Sequence, residues 1–436
     1  MQASPTIEFV FGIFCASAAR IFGACAEPAS KKDVRLRARI SLCLFDSVPH
    51  SQSMKRDPGL TYMLGLKKNG VHPIHPSSPT NRDRIMPNTP FISIVMPSRG
   101  RPEKLESALL SLEETLRSYR AAEVIVAYDG EEGGPSRPSN SWPSAIPLTF
   151  LRLDHRGPAA ARNRALEHAR GDLLLFLNDD IEASPHLLEE HVRAHRESTH
   201  PKSVLGGFVF SETLRRDPFC RLLEDAGFTH TKFLGPTSIR TTYTSFWTAN
   251  LSVPRSAVEA VGGFDPLFTE PSCEDIDLGY RLKKELDLEL LYAPKAIVHH
   301  NHPHHPEMWR RRNRMMGRNT LRLFSKHGIG CDAHALMHER RFIPERVQAF
   351  RNGLQEQDAA IDSKRRELES LLAQAAAKEQ KESSRDGTSR MKDARMHAMA
   401  LLLRDIDQHD SLSGFADALW AHLPREAASD VRVGPS

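Results

Sequence analysis

The chain has 436 residues, long enough for one large domain with appendages, since single domains usually run to about 100–200 residues. Its formal net charge is only +4, with charges of both signs abundant, so the composition demands neither a nucleic-acid partner nor an acidic substrate. The six cysteines (Cys15, Cys25, Cys43, Cys220, Cys273, Cys331) form no C-x-x-C pair, which argues against a zinc knuckle, a redox dithiol or a disulfide framework and fits a reducing cytoplasm.

In chain order, Ile7 to Ser30 is apolar and small but lacks a basic start, and Arg20 interrupts it well short of a membrane span. Residues 1–90 as a whole read as a poorly ordered leader, with Met54 and Met86 as alternative starts. No stretch has the length and apolarity of a transmembrane helix. Order is expected from Phe91. "FISIVMP" reads as a buried strand, "PEKLESALLSLEETLRSYR" as an amphipathic helix and "AEVIVAYDG" as a second buried strand ending at Asp129. A loop from Glu131 to Pro147 leads to the strand "LTFLRL", then to a helix with Pro158 near its start and Gly171 as its stop, then to the strand Leu173 to Leu177. Alternating strands and helices predict an α/β fold whose mainly parallel central sheet is flanked by helices and binds ligands outside the carboxyl ends of its strands.

Asp129 and the cluster Asn178, Asp179 and Asp180 fall at that edge. Capping of a helix near Pro185 is one reading of the cluster. The other is a hard divalent cation: adjacent carboxylates repel each other, and Mg²⁺ or Mn²⁺ typically takes one or two of them and fills its remaining sites with water and phosphate oxygens. A dinucleotide site is excluded because no G-x-G-x-x-G follows either of the first two strands.

A second acidic group, Glu274, Asp275 and Asp277, follows the turn at Gly262 and Gly263. Asp277 is expected to cap a helix, whereas Glu274 and Asp275 are read as lying on a loop before it, with Asp275 free to act as a general base. The run His299, His300, His302, His304 and His305 comes next, with a surface tract as the reading for His304 and His305. Arg310, Arg311, Arg312, Arg314 and Arg318 then share a helix with Trp309 and read as a solvated face, a diphosphate clamp or a contact with anionic lipid. Residues from about Pro344 to Lys381 form a second long helix, "KESSRDGTSR" breaks it, and the last helical segment is apolar enough to need the catalytic domain or a second subunit as partner.

From Phe91 to about Lys326 the chain resembles a family 2 glycosyltransferase of the GT-A fold. The opening "SIVMPSRGRPEKLESALLSL", the strand-end acid of "VIVAYDG", "GPAAARNRALEHARGDLLLFLNDD", "TANLSVPRSAVEAVGGFDPLF" and "CEDIDLGYRL" occur in the family's order. Together with the composition of the flanking segments, three regions are expected: a leader (1–90), a GT-A domain (91–327), which the resemblance implies, and a helical extension (328–436), with a coiled coil as one reading of it. The resemblance further implies a nucleotide-diphospho-sugar donor, a divalent metal (Mn²⁺ or Mg²⁺) and a hydroxyl acceptor on a glycan or a lipid-linked molecule. Residue by residue, Pro97, Ser98 and Arg99 sit beside the nucleotide, and Asp129 contacts the base or ribose. Arg162 and Asn163 match an element near the donor. Asn178 stands where many members have Asp, Asp179 supports, and Asp180 holds the metal. Asp275, with Glu274, matches the catalytic base. "H-N-H-P" resembles the family's His-x-His-Pro element, so His300 becomes a metal ligand, with His302, Asn250 and Trp247 as further candidates; an imidazole ligand favours manganese.

Sugar transfer with inversion needs both clusters. A cation stabilises charge growing on the departing diphosphate, and a carboxylate takes the acceptor proton. The alternative is a catalytically silent module of the same fold that binds a nucleotide or a partner. Expected partners are the donor and acceptor, with no nucleic acid; membrane-surface contact at the inner face and self-association through the C-terminal helices stay open. The identities of sugar, nucleotide and acceptor are assigned to loops at Glu131 to Pro147 and Glu212 to Ser245.

Overall fold

Strands with no solvent face build the centre of the molecule. The computed structural model describes residues 89–130, 142, 145–198, 200–225, 240–241, 243–327, 344–382 and 394–421. The leader, the break after the long C-terminal helix, most of the loop at 131–147 and residues 226–239 lie outside the described residues, as do Cys15, Cys25, Cys43 and Cys331.

The strands are β1 (Ile92–Ser98), β2 (Ala122–Asp129), β3 (Leu148–Leu153), β4 (Leu173–Leu177), β5 (Ile181–Ala183), β6 (Lys202–Phe210), β7 (Arg240–Thr241), β8 (Asn250–Pro254) and β9 (Glu289–His300). The helices are α1 (Pro102–Ser118), α2 (Pro158–Leu166), α3 (Leu187–Arg196), α4 (Pro218–Asp225), α5 (Arg255–Ala260), α6 (Glu274–Leu286), α7 (Pro306–His327), α8 (Pro344–Glu382) and α9 (Ala394–Ala421). All belong to one sheet-centred unit, ordered β3-β2-β1-β4-β8-β6-β9-β5, with β7 paired to β9.

The half from β3 to β4 is parallel, as the alternating pattern predicts; the other half mixes directions, with β8 antiparallel to both β4 and β6 and β9 parallel to β6. Alternate residues of each parallel strand enter different cores, as the two-residue period of a strand requires. Ile92, Ile94 and Met96 join Val124, Val126 and Leu175 on one face, while Val95, Ile125, Ala127 and Phe176 fill the other.

Strand direction decides where function can gather. The carboxyl ends of β1, β2, β4, β6 and β9 and the amino end of the reversed β8 share one edge of the sheet. His300, the last residue of β9, pairs with Ile181, which directly follows Asp180.

The C-terminal helices close against this body. α9 crosses α7 where Gly317 of one meets Gly414 of the other, and a methyl on either would collide with a facing backbone carbonyl, Ser411 or Arg314. Met399, Leu403 and Ile406 of α9 join Ile361 and Leu368 of α8 and Phe219, Leu222 and Leu223 of α4 in one buried cluster. The apolar face of the last helix is thus covered by its own chain. At its centre the buried carboxylate of Asp410 meets Arg365 at 2.7 Å, Arg310 at 3.6 Å and Arg314 at 3.8 Å.

Candidate active site

β4 places Asp179 and Asp180 at the shared edge, and the loop leaving β1 folds over them. Ser98 Oγ donates to Asp179 Oδ2 at 2.7 Å, and the guanidinium of Arg101 bridges both acids, reaching Asp180 Oδ2 at 2.6 Å and bonding Asp179 through its other terminal nitrogen. Neither acid caps the following helix, whose N-cap is His186. The two environments pull the pKa values apart. Burial pushes Asp179 up to about 6, a rise that Arg101 opposes and the neighbouring Asp180 charge reinforces. Asp180 is also penalised by burial, yet His300, Arg101 and His302 hold it well below the ordinary carboxylate range.

His300 Nε2 stands 3.5 Å from Asp180 Oδ1, long for a hydrogen bond, and both Asp180 Oδ1 and His300 Nδ1 are buried without a partner. A carboxylate oxygen, an imidazole and a second carboxylate beside them suit Mn²⁺, or Mg²⁺ with fewer protein ligands. Among the described residues no ready cage of three or more His, Cys, Asp and Glu side chains exists, so a cation here would draw its remaining ligands from water and diphosphate. In this structure Arg101 supplies the neutralising charge. The sequence reading passed over Arg101; its signal is a basic residue directly before the helix-starting Pro102, which aims it at the strand ends.

The second acidic group reaches the same edge. Thr248, just ahead of β8, donates its backbone N–H to Asp275 Oδ2 at 3.4 Å, and Ile276 N donates to Oδ1 at 2.8 Å. Glu274 is buried and bound by Arg162 Nη1 at 3.0 Å; Arg162 in turn lies 5.4 Å from the centre of the Phe264 ring. Burial, then the Glu274 charge, raise Asp275 to about 7, with Arg162 pulling the other way. Glu274 and Asp275 are the first residues of α6 rather than part of a loop before it. The turn is made instead at Cys273, which holds a left-handed φ of 65° uncommon for a residue with a side chain. Asp277 does not cap the helix. Its carboxylate takes Arg281 Nε at 2.9 Å and Lys326 Nζ and His327 Nε2 at 2.6 Å each, tying α6 to α7.

Several expected donor contacts are committed elsewhere. Asp129 accepts the backbone N–H groups of Arg156 at 2.7 Å and Gly157 at 2.8 Å, shaping the entry to α2. Asn163 exchanges two 2.8 Å hydrogen bonds with the backbone of Phe264. Asn250 is 1% exposed and bonds His191 and the carbonyls of Gly207 and Ala296, so it has no face for a ligand; Trp247 packs in the core. Pro97 and Asn178 are half-buried at the edge and Arg99 is exposed beside it.

The histidine and arginine tracts are built into the structure. His302 lies 6.2 Å from His300 between ring centres. His305 is exposed, as the surface reading has it, but His304 is half-buried: its ring is 5.4 Å from His300, 5.6 Å from Phe210 and 5.5 Å from Trp309. Arg318 and Arg322 pair with Glu270, Arg311 with Glu307, and Arg312 stacks 4.7 Å above Trp309, so these charges do not form a free basic face. Among the described residues no helix is long and apolar enough to cross a membrane.

Comparison with known proteins bears on this edge directly. Residues 93–247 match the model of the glycosyl transferase family 2, a span that contains Asp129, Arg162 and the Asn178–Asp180 cluster but ends before Asp275 and His300. The chain is 30% identical to the Bacillus subtilis glycosyltransferase YfnE over 257 residues, covering 48% of this chain and 65% of that one. It is 28% identical to a validoxylamine A glucosyltransferase of Streptomyces hygroscopicus over 45% of this chain and 52% of the other, and 28% identical to a pre-mycofactocin glycosyltransferase of Mycobacterium tuberculosis over 59% and 51%. The chain spans about half to two-thirds of the length of these relatives. A mannosyltransferase of Pyrobaculum calidifontis solved with GDP-Man and Mn²⁺ aligns at a TM-score of 0.43 and 17% identity, over 77% of this chain and 88% of that one. Residues 93–247 thus carry a family 2 glycosyltransferase domain, at the heart of the sheet-centred unit.

Proposed function

We propose that the chain transfers a sugar from a nucleotide-diphospho-sugar to a hydroxyl acceptor, on a glycan or a lipid-linked molecule, with inversion at the anomeric carbon and with a divalent cation at Asp180 and His300. One observation carries the reading. At a single sheet edge, one carboxylate is held ionised beside an imidazole while another, Asp275, is poised near neutrality, which is the division of labour that displacement by a hydroxyl needs.

A cation bound at Asp180 would supply Lewis-acid stabilisation of the departing diphosphate. The chain's own residues do the rest. Asp275 accepts the proton as the acceptor hydroxyl attacks, and its orientation comes from Thr248 N–H and Ile276 N–H rather than from a side-chain partner. Arg162 pairs with Glu274 and not with Asp275, so burial and the Glu274 charge keep Asp275 raised rather than an ion pair holding it down. Arg101, once a cation takes over the two carboxylates, is free with Arg99 to meet phosphate oxygens.

The test is a thermal-shift panel of nucleotide sugars with and without Mn²⁺, glucose-bearing donors first because one relative is named a glucosyltransferase. A donor at a hundred times its Kd should stabilise the chain by roughly 2.7 kcal/mol, and only with the cation present. A panel with no shift for any donor would defeat the reading, as would product that retains the donor's anomeric configuration.

A further inference from the structure

The last helix reaches the candidate metal site through a short line of side chains. Asp407, on α9, accepts the indole N–H of Trp309 at 2.9 Å on each of its oxygens and Asn313 Nδ2 at 2.8 Å. Trp309 is 5% exposed, and its ring does two things at once. One face carries the Arg312 guanidinium, 4.7 Å away. The His304 ring meets it edge-on, 5.5 Å between centres at 79°. His304 lies against His300, 5.4 Å between ring centres, and His300 faces Asp180.

We infer that Asp407 is a positioning residue for the donor site: by fixing Trp309 it sets His304, and through His304 the ring orientation of His300. The consequence for donor binding rests on the function proposed above; the coupling itself does not.

Three observations favour this over simple packing. The indole nitrogen is the only polar atom of Trp309, so its two-pronged bond to Asp407 selects one rotation of the ring within a cluster that apolar contacts alone would leave free to re-pack. The Gly317–Gly414 crossing fixes the height of α9 along α7, so Asp407 cannot slide away from Trp309. And polar contacts orient His300 only weakly: its Nδ1 has no hydrogen-bond partner among the described residues and its Nε2 makes only the long 3.5 Å approach to Asp180, so stacking against Phe208, Phe210 and His304 is the main restraint on the ring. An imidazole that binds a metal usually owes its orientation to a hydrogen bond from its second nitrogen; here aromatic contacts take that part, and α9 anchors them. Burial and the nearby Asp410 charge push Asp407 up to about 8, so an amide is a fair mimic of it near neutral pH.

The experiment uses the full chain with ¹³C-labelled histidine rings and compares the wild type with Asp407→Ala, Asp407→Asn, Trp309→Phe and a packing control, Leu412→Ala. Leu412 is buried on the same helix and is not a member of the apolar cluster that holds Trp309. In the metal-free protein, the His300 and His304 ring signals should move in Asp407→Ala and Trp309→Phe, return most of the way in Asp407→Asn, and stay in place in Leu412→Ala. Mn²⁺ affinity, followed by the electron paramagnetic resonance of the free ion with a nucleoside diphosphate present, should weaken by about tenfold in the same two variants, the usual cost of losing an outer support of a metal ligand. Unmoved histidine signals in Asp407→Ala would overturn the inference, and so would equal movement in Leu412→Ala or wild-type Mn²⁺ affinity alongside moved signals. A wild-type chain that binds no Mn²⁺ would instead defeat the proposed function, while the metal-free spectra would still decide the coupling.

Discussion

Two acidic pairs share one edge of the sheet, and an arginine answers each, but the arginines do opposite things. Arg101 is 36% exposed in its side chain and spans both Asp179 and Asp180, neutralising the pair from the solvent side. Arg162 is 5% exposed and is locked to Glu274, and among the described residues no cation forms an ion pair with Asp275 at contact distance. In the first pair Asp180 is held ionised, by His300 ahead of Arg101, while burial still raises Asp179 to about 6; in the second, burial and the Glu274 charge raise Asp275 to about 7. Proximity of unlike charges therefore does not predict what an acid will do. Burial and the whole set of neighbours, His300 for Asp180 and Glu274 for Asp275, set the outcome more than the nearest guanidinium does.

The sharpest way to break the comparison is at the first pair. Asp180→Ala should abolish Mn²⁺-dependent donor binding while the melting temperature stays near that of the wild type, because a strand-end carboxylate contributes little to packing; calorimetry with donor and Mn²⁺ reads it directly. Undiminished binding would remove Asp180 from the cation site. At the second pair, Asp275→Asn should lower turnover by about a hundredfold or more while donor Kd holds, as loss of a general base does. Wild-type turnover in this variant would hand the role to Glu274 or dissolve it.

Breaking the buried ion pair tests the stability side. Arg162→Met strands Glu274 in the interior and should cost about 3–5 kcal/mol in denaturant unfolding. Any folded fraction should show the Asp275 midpoint displaced to higher pH, since Arg162 is what opposes the rise. A loss under 1 kcal/mol would mean that water reaches Glu274 after all.

The smallest effects are in pH. With Asp275 near 7, kcat/KM should climb about tenfold per pH unit below that point and level off above it, because only the ionised form takes a proton. Stability should run the other way. A carboxyl whose folded pKa lies above its unfolded value favours the folded state while protonated and loses that contribution as pH rises from about 4 through 7. Asp275→Asn has no such loss, so its melting temperature should overtake the wild type progressively across that window and then run parallel above it. Parallel curves throughout would show that Asp275 titrates normally.

What was legible from residues alone follows local physics. The apolar run Leu173 to Leu177 is a core strand whatever surrounds it, and its end was bound to present Asn178, Asp179 and Asp180 at the carboxyl edge of the sheet. The long C-terminal helices and the acids beside Cys273 were likewise visible in pattern and charge. Sequence is silent where a side chain's partner is distant. Asn163 and Asn250 look like ligand residues by type, yet the partners that occupy them lie 101 residues away at Phe264 and 59 away at His191. His304 looked like surface because nothing nearby in sequence reveals Phe210 or Trp309.

Composition, periodicity and spacing thus determined the strands, the edge and the presence of two acidic groups, because these depend on interactions within a few residues. Tertiary structure alone decided which acid is neutralised and which is kept near neutrality, and it brought Asp407 to Trp309 across 98 residues. Charge and hydrogen-bond energies fall off within a few ångströms, so they are set by which side chains the fold brings into contact, however far apart they stand along the chain.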